Sequence, residues 1–400
     1  MTRKVLKIAL VLSFFQSILY AEDWEFLSVN GYGTLGVAYQ DNENIVFRNS
    51  FFTDKGSKGD VSFDNYSVLG LQLDAEATDK LSFTLQAVVS ANNANGNMLD
   101  VEWANAKYQI SDAFDIRVGI MRIPIFIYSD ILNVAYSYEM LRLPDMYSLI
   151  SVNKHQGLQF SYHADMGEYS FLSTLLAGQT DSEYKAIDMH GNISESNIHA
   201  ESMLGISLKF MYDNLLLNAT YMKANIDINN PTMQGVLNQF NTLNIPRISN
   251  TIDKYKIENQ KVEYLTLGIK YDFLNSYVIG EYIDTNAESF MIDLRSWYVG
   301  AGYNFDTWTP YITYAKTKST SNYSDMSIAG MSTQVSDAIM AANQVFIQMG
   351  KPGSENNLET VSVGVRYDLS DNAVLKFQYD EQQRVHTRLD VFSSAINFVF

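Results

Sequence analysis

Runs in which apolar and polar residues alternate recur along the chain from about residue 26 to residue 400. Leu81, Phe83 and Leu85 alternate with small polar residues, and the same period occurs at 204–210 and 361–367. Successive side chains of a β-strand point to opposite faces, so this period predicts strands with one apolar and one polar face. The recurrence of the pattern predicts an all-β protein.

The spacing of these runs predicts about sixteen strands joined by links of two kinds. We expect strands near 26–40, 63–75, 81–91, 99–110, 114–122, 149–163, 168–179, 200–213, 215–225, 259–273, 276–284, 293–305, 308–318, 358–368, 373–381 and 387–400. Links of a few residues alternate with longer polar links near 41–62, 92–98, 123–148, 180–199, 226–258, 285–292, 319–357 and 382–386. Short turns on one side and long loops on the other are typical of a transmembrane antiparallel β-barrel. A soluble β-sandwich would show the same alternation but not this order of links.

The polar face of the predicted strands carries many charges. Strand parity points these inward: Asp74, Glu102, Lys107, Asp115, Arg117, Lys209, Lys270, Glu281, Arg366, Lys376 and Asp380. A packed interior would leave so many charges without solvation, whereas a wet lumen solvates them. Barrels of about 16–18 strands are wide enough to hold an aqueous channel. The sequence therefore predicts a water-filled pore whose apolar outer face contacts lipid.

The first 21 residues have the features of a secretory signal peptide. Arg3, Lys4 and Lys7 precede an apolar stretch at 8–19, and Ala21 is a suitable last residue before cleavage. The alternative, an uncleaved anchor helix, would need a longer apolar run. We therefore predict a signal peptide at 1–21 and a barrel at 22–400.

Composition narrows the classes of partner and chemistry. Without the predicted signal the chain keeps 25 Lys and Arg against 45 Asp and Glu, which argues against a nucleic-acid partner. Cysteine is absent, which excludes disulfides and thiolate metal sites. The 26 Tyr and 22 Phe cluster beside the short links, where a barrel places its aromatic girdle.

Three segments and the C-terminal strand resemble a known family. MRIPIFIYSD, in which Arg122 and Pro124 close a strand, SWYVGAGYNF at 296–305, TPYITYA at 309–315 and a final apolar strand that ends in Phe400 are similar to the sixteen-stranded trimeric porins of Gram-negative bacteria. The resemblance implies a general-diffusion porin of the outer membrane, assembled as a homotrimer. It also implies that the third external loop, about 123–148, folds into the barrel and narrows the pore.

In such a constriction, acidic groups on the loop face basic groups on the wall, and the field between them filters solutes. Surface ion pairs are the alternative reading of each charge. The candidates are Asp130, Glu139 and Asp145 on the loop and Lys107, Arg117 and Arg122 on the wall.

Two other functions stay open at this stage. An inward ladder of basic residues would favour a channel selective for phosphate or other anions, and an aromatic slide would favour sugars. An outer-membrane enzyme would need a catalytic arrangement, and the five histidines show no metal-ligand or Ser–His spacing. GYGTLG at 31–36 matches a dinucleotide fingerprint but lies within a predicted strand, so we expect no cofactor and no metal.

One segment of the predicted external loops has helical spacing. In residues 335–349 the apolar side chains of Val335, Ile339, Ala342 and Val345 fall on one face. The sequence leaves open whether this helix covers the mouth as a lid or packs against the bases of the loops, and the second is favoured.

Overall fold

The chain forms one closed antiparallel sheet. The structure, a computed structural model, describes residues 26–50, 56–90, 98–150, 152–187, 193–287, 293–320, 325–354, 357–384 and 387–400, so the predicted signal peptide lies outside the described residues. Across these residues the sheet contains sixteen long strands and the two-residue strand β2. Strand β1 pairs with both β17 and β3, which closes the barrel.

The strand bounds follow the predicted ones within a few residues in most cases. The strands are β1 (Leu27–Gln40), β2 (Val61–Ser62), β3 (Val68–Thr78), β4 (Leu81–Ser90), β5 (Leu99–Ser111), β6 (Phe114–Arg122), β7 (Lys154–Met166), β8 (Tyr169–Ile187), β9 (Ile193–Tyr212), β10 (Leu215–Asn229), β11 (Ile257–Asp272), β12 (Ser276–Ala287), β13 (Asp293–Tyr303), β14 (Trp308–Thr320), β15 (Leu358–Ser370), β16 (Ala373–Arg384) and β17 (Arg388–Val399). The predicted all-β barrel of about sixteen strands is confirmed.

The predicted link at 180–199 is wrong in extent, because β8 and β9 continue through most of it as a hairpin. The polar residues of this segment continue the pairing of β8 with β9 beyond the apolar band of the barrel. Pairing between the two strands satisfies their backbone groups in water as well as in lipid.

The outward face is apolar through the middle of the barrel and aromatic near the short turns. Leu35, Leu175 and Val363 are each at least 50% exposed, as lipid-facing side chains are when no lipid is present. Near the turns, aromatic rings pair across strands: Tyr169 with Tyr212 at 4.4 Å and Trp308 with Tyr367 at 4.4 Å between ring centroids. Rings with a polar tip suit the lipid headgroup boundary, which explains the girdle.

The seam between the first and last strands depends on two glycines. The ring of Phe400 covers Gly31 and that of Phe398 covers Gly33, where an added Cβ would lie 2.1 and 2.4 Å from the nearest ring atoms. The backbones of Gly31 and Phe400 also exchange two hydrogen bonds of 2.8 and 2.9 Å. Because these glycines lack a Cβ, the aromatic side chains of Phe398 and Phe400 can approach the backbone of β1 closely.

In the part of the external loops that the structure describes there are three α-helices: α1 (Pro231–Asn241), α2 (Pro246–Tyr255) and α3 (Thr333–Ser354). The helix predicted at 335–349 lies within α3. Its buried Ile339 and Ala342 pack with Leu237, Ile248 and Ile252 of the other two helices. The helix therefore packs against a neighbouring loop rather than against the loop bases alone. Among the residues that the structure describes, no helix has the length and hydropathy needed to cross a membrane.

Candidate functional site: the lumen and its third loop

The third external loop, residues 123–153 between β6 and β7 and called L3 from here on, folds into the barrel. Several of its apolar side chains, among them Ile125, Phe126 and Met140, are at most 5% exposed, and they form one cluster with inward side chains of the wall. The wall residues in this cluster include Met203, Met222, Ile226, Val262 and Ile283. A hydrophobic core inside the lumen, made of side chains that are shielded from water, therefore holds L3 in place.

The first part of L3 is attached to strands β9 to β12 by hydrogen bonds. Thr220 and Thr266 donate their hydroxyls, each at 2.7 Å, to the carbonyl oxygens of Pro124 and Ile125. These threonines are at most 2% exposed. Some side chains of the predicted polar inner face therefore form hydrogen bonds with L3 and not with water. They do so because the buried backbone of the loop needs hydrogen-bond partners.

Glu281 of β12 anchors the same part of the loop. It accepts the backbone N–H of Ile127 at 2.7 Å, and it accepts the hydroxyls of Tyr147 and Tyr298, the latter at 2.8 Å. Its side chain is buried, so its environment differs from the wet lumen expected for it. Three donors compensate for the loss of water around a buried carboxylate.

Lys376 of β16 binds the apex of L3 from the other side of the loop. Its ammonium group donates to the carbonyl oxygens of Ala135, Tyr138 and Met140 at 2.5 to 2.9 Å. The ammonium nitrogen also lies 4.9 Å from the centre of the Tyr138 ring. The residue is 0% exposed and, within the described chain, forms no ion pair. Backbone dipoles and one aromatic face therefore replace the water around this cation.

A buried ion network joins residues 142–145 of L3 to β15 and β16. Arg142 lies 2.6 Å from Asp145 and 3.3 Å from Asp380, and Thr360 donates to Asp145 at 2.7 Å. Burial would raise the pKa of Asp145, but the charge of Arg142 and the hydrogen bonds outweigh it and the pKa is lowered. The carboxylate of Asp145 therefore keeps its charge, and its contact with Arg142, to lower pH than an unpaired aspartate would.

The predicted constriction residues on the wall lie on β5 and β6. Lys107 and Arg117 are cross-strand neighbours, are half-buried and form no ion pair with a described residue. The guanidinium of Arg117 lies 6.0 Å from the centre of the Trp103 ring. Arg122 is 3% exposed and pairs with Glu102 of the same wall at 2.7 Å. Lys107 and Arg117 thus present uncompensated positive charge.

The predicted acidic residues of L3 lie in three different settings. Asp130 is exposed at the first turn of the loop. Glu139 is half-buried, 3.8 Å from Lys270 of β11, and Asp145 is buried in the network with Arg142. Among the described residues, none of the three is within ion-pair distance of Lys107, Arg117 or Arg122. That these residues line a constriction stays a prediction.

A second loop also folds inward, which the sequence analysis does not anticipate. Ile45 and Phe47 of the first external loop are at most 5% exposed and pack with Leu141 of L3 and Val391 of β17. The side-chain amide of Gln40 donates at 3.0 Å to two carbonyl oxygens of this loop. The signal in the sequence is the apolar run at 45–47 within a mostly polar link.

Above L3 a vestibule of about 760 Å³ opens toward the external side. Its rim is formed by the outer ends of β5 to β10, and L3 and residues 49–50 form the rest of its lining. Its charged lining residues are Asp100, Glu102, Asp181, Glu183, Asp227, Arg122, Arg142 and Lys154, with His199 beside Asp181. Asp181, Glu183 and Asp227 share the outward faces of their strands with Leu175 and Tyr221, so the charges that face the vestibule from inside are Asp100, Glu102, Arg122, Arg142 and Lys154, which are of both signs.

L3 makes most of its hydrogen bonds with strands β9 to β16, and its turn at 135–137 also contacts β17 and β1. The inner faces of β3 to β7 lie across from it and carry half-buried polar side chains such as Gln72, Asp74, Lys107 and Arg117. A polar wall opposite an inward-folded loop is the arrangement of a narrowed channel.

Comparison with known proteins agrees with this geometry. A family model described as Gram-negative porin matches residues 9–387. The fold is similar to OmpF of Salmonella typhi in complex with daunomycin, with a TM-score of 0.56, 14% identity and coverage of 94% of this chain and 97% of that chain. It is also similar to a loop-deletion mutant of OmpT, an outer membrane protein of Vibrio cholerae, with a TM-score of 0.53, 12% identity and coverage of 94% and 100%.

A third similar structure is the anion-selective porin from Comamonas acidovorans, with a TM-score of 0.52, 12% identity and coverage of 94% and 100%. At these identities the structures show the fold alone. A search of curated protein sequences gives no match. The family model spans nearly the whole described barrel, and with the closed sheet and the inward L3 it shows that the chain belongs to the Gram-negative porins, the outer-membrane β-barrel channels.

Proposed function

We propose that this porin is a general-diffusion channel, which lets small hydrophilic solutes and ions cross the outer membrane passively after signal-peptide cleavage. The observation that carries the proposal is the position of L3: it packs against β9 to β16, across from the polar inner faces of β3 to β7. Charges of both signs lie on the inner faces of β3 to β7. Diffusion through the channel needs neither an energy source nor a catalytic group.

A recording of single channels in planar bilayers tests this proposal. The mature protein, added in detergent to 1 M KCl, should produce discrete conductance steps that do not require a ligand. A heat-denatured sample at the same detergent concentration is the control. A folded protein that inserts but gives no steps at any voltage would contradict the proposed channel.

A channel selective for phosphate or other anions is the second candidate. Lys107 and Arg117, which form no ion pair with another described residue, favour it. The vestibule opposes it, because Glu102 and Asp100 there compensate the charges of Arg122 and Lys154. The reversal potential in a KCl gradient distinguishes the two: a general channel gives a weak preference, whereas an anion channel gives a strong one. Competition of the current by millimolar phosphate or maltose would support the selective alternatives.

We expect the channel to assemble as a homotrimer, which rests on membership of the family. Trimeric barrels of this type stay associated in mild detergent until they are heated. Unheated protein should therefore migrate on a gel as a species about three times the mass of the boiled chain. Native mass spectrometry that found only monomers in the same detergent would contradict the trimer.

A further inference from the structure

We propose that the narrowest part of this channel lies near its periplasmic end, where the apex of L3 is attached to the turn between β15 and β16. Solutes are selected by size at this point, after they have passed a wider vestibule on the external side. The inference rests on the proposed channel function. It locates the size limit along the axis and assigns Tyr136 as the residue that positions it.

The apex of L3, the turn at 135–137, reaches the periplasmic edge of the barrel. The hydroxyl of Tyr136 donates at 2.6 Å to the carbonyl oxygen of Asp371, which lies in the two-residue turn between β15 and β16. Short turns of such barrels are periplasmic, and the long loops are external. The backbone of Tyr136 therefore lies within one side-chain length of the periplasmic edge.

Two neighbouring strands hold the backbone of the apex at this depth. The guanidinium of Arg366 on β15 donates to the carbonyl oxygen of Tyr136 at 2.7 Å, and it lies 5.2 Å from the centre of the Tyr136 ring. Asp368 orients this guanidinium by accepting its Nε–H at 2.7 Å. Lys376 of β16 binds the adjacent carbonyl oxygen of Ala135. Charged donors bind carbonyl oxygens more strongly than neutral donors do, so the apex is firmly fixed.

L3 descends to this point from the middle of the barrel and rises again. The carbonyl oxygen of Ile125 binds Thr266, the seventh residue of β11 counted from its short turn. After the apex, Asp145 binds Thr360, the eleventh residue of β15 counted in the same way. A strand tilted by about 40° rises roughly 2.5 Å per residue along the axis, so Thr360 lies roughly 25 Å above its turn. L3 therefore extends through most of the depth of the barrel and does not cross the lumen at a single height.

The open wall carries large side chains at the height of the apex. Lys107 is the fifth residue of β5 and Arg117 is the fourth residue of β6, both counted from the short turn that joins these strands. Lys376, which binds the apex, is the fourth residue of β16 from its own turn. All three lie roughly 8–10 Å above the periplasmic edge. The passage between the apex and the open wall is therefore close to the periplasmic exit.

The lumen on the external side of the apex is wider. The vestibule of about 760 Å³ extends down to Leu132, Asn133 and Tyr138, which flank the apex. Arg122, the ninth residue of β6, lines the same space well above them. A solute from outside therefore enters a wide space before it meets the narrow part, whereas a solute from the periplasm meets the narrow part first.

Neutral polymers added to one side of a single channel in 1 M KCl test this order. Polyethylene glycols that enter the pore lower its conductance. For a range of polymer masses, addition to the external side should lower the conductance by at least about a fifth, whereas addition to the periplasmic side should leave it unchanged. Ser332→Cys in the loop before α3, labelled with a bulky maleimide from one side, identifies the external side because the chain has no other cysteine.

Variants at the apex test the role of Tyr136. Tyr136→Ala and Arg366→Met should each raise the mass of polymer that enters from the periplasmic side, and Tyr136→Phe, which lacks only the hydroxyl, should raise it less. Tyr314→Ala is the matched control, because Tyr314 lies on the outward face of β14 and its hydroxyl contacts Glu359 at 3.0 Å. This variant should keep the periplasmic size limit of the unmodified protein.

The outcomes separate the inference from the proposed function. Equal size limits from the two sides, or a smaller limit on the external side, would overturn the inference but leave the channel intact. A periplasmic limit that is the same in Y136A, R366M and Y314A would remove Tyr136 as the positioning residue. The absence of any conductance steps would instead refute the proposed function.

Discussion

Replacement of Arg142 by methionine should destabilise the folded barrel by about 3–5 kcal/mol, the usual cost of breaking a buried ion pair from one side. Arg142 is buried, with Asp145 at 2.6 Å and Asp380 at 3.3 Å. Without it, two buried carboxylates repel each other, and Arg384 is left as the cation that acts on Asp145. The midpoint of urea unfolding in detergent, followed by heat-modifiable gel migration, measures the change.

An exposed arginine provides the matched control. Arg388 contacts Glu381 and Asp390 at 3.0 and 3.2 Å, but its side chain is 58% exposed and water replaces the lost contacts. Arg388→Met should therefore unfold like the unmodified protein. The triple variant R142M/D145N/D380N should recover part of the loss, because it removes the buried charges together. Equal midpoints for R142M and R388M would contradict the role of the network in holding L3.

Replacement of Lys376 by methionine should release the apex of L3 and make the open-channel current noisy. The substitution keeps the length of the side chain but leaves the carbonyls of Ala135, Tyr138 and Met140 without their donor. Each buried acceptor without a partner costs about 1–3 kcal/mol, and about 1.4 kcal/mol changes an equilibrium tenfold. The population of undocked loop should rise at least tenfold.

Single-channel noise at constant voltage and proteolysis of L3 from the external side report that population. Lys376→Arg should restore part of the docking, because guanidinium also donates to carbonyl groups. Lys209→Met is the matched control, since Lys209 faces the lumen from β9 without an ion pair among the described residues. If K376M had the quiet current and the protease resistance of K209M, the carbonyl contacts would not be what fixes the loop.

The sequence determines the barrel more clearly than the lumen. Contact with lipid requires an apolar side chain at every second position of a strand, and this alternation is visible in the sequence alone. This alternation ends where the strand leaves the membrane. In β10 the outward Leu217 and Tyr221 are followed by the outward Lys223. The inward positions of the same strand change from polar Thr220 to apolar Met222. This change of phase marks where the wall meets L3, and it could have located the docking surface.

The partners of L3 could not be assigned in this way. Thr220 and Thr266 look like water-facing residues in the sequence, and only the path of the loop shows that they bind its carbonyls. Lys376 and Glu281 were expected to face water for the same reason. Contacts between residues 96 to 241 positions apart leave no local pattern in the sequence.

The two helices between β10 and β11 were also not predicted, although local signals exist. Asn230 caps α1 by accepting the backbone N–H of Met233 at 2.9 Å, and Pro231 occupies its first turn. Pro246 likewise begins α2. A capping residue followed by proline is a known start signal for a helix, and here it lies in a link that is otherwise polar.

The closing seam has a consequence for biogenesis. Gly31 and Phe400 pair across about 370 residues of intervening chain, and bringing distant segments together carries an entropic penalty and slows folding. Until this pairing forms, β1 and β17 each have an open edge that can recruit other chains. A chain that stays unfolded until all its strands can pair would avoid this exposure. Substitution of Gly31 by valine should consequently slow assembly and increase degradation before any conductance is affected.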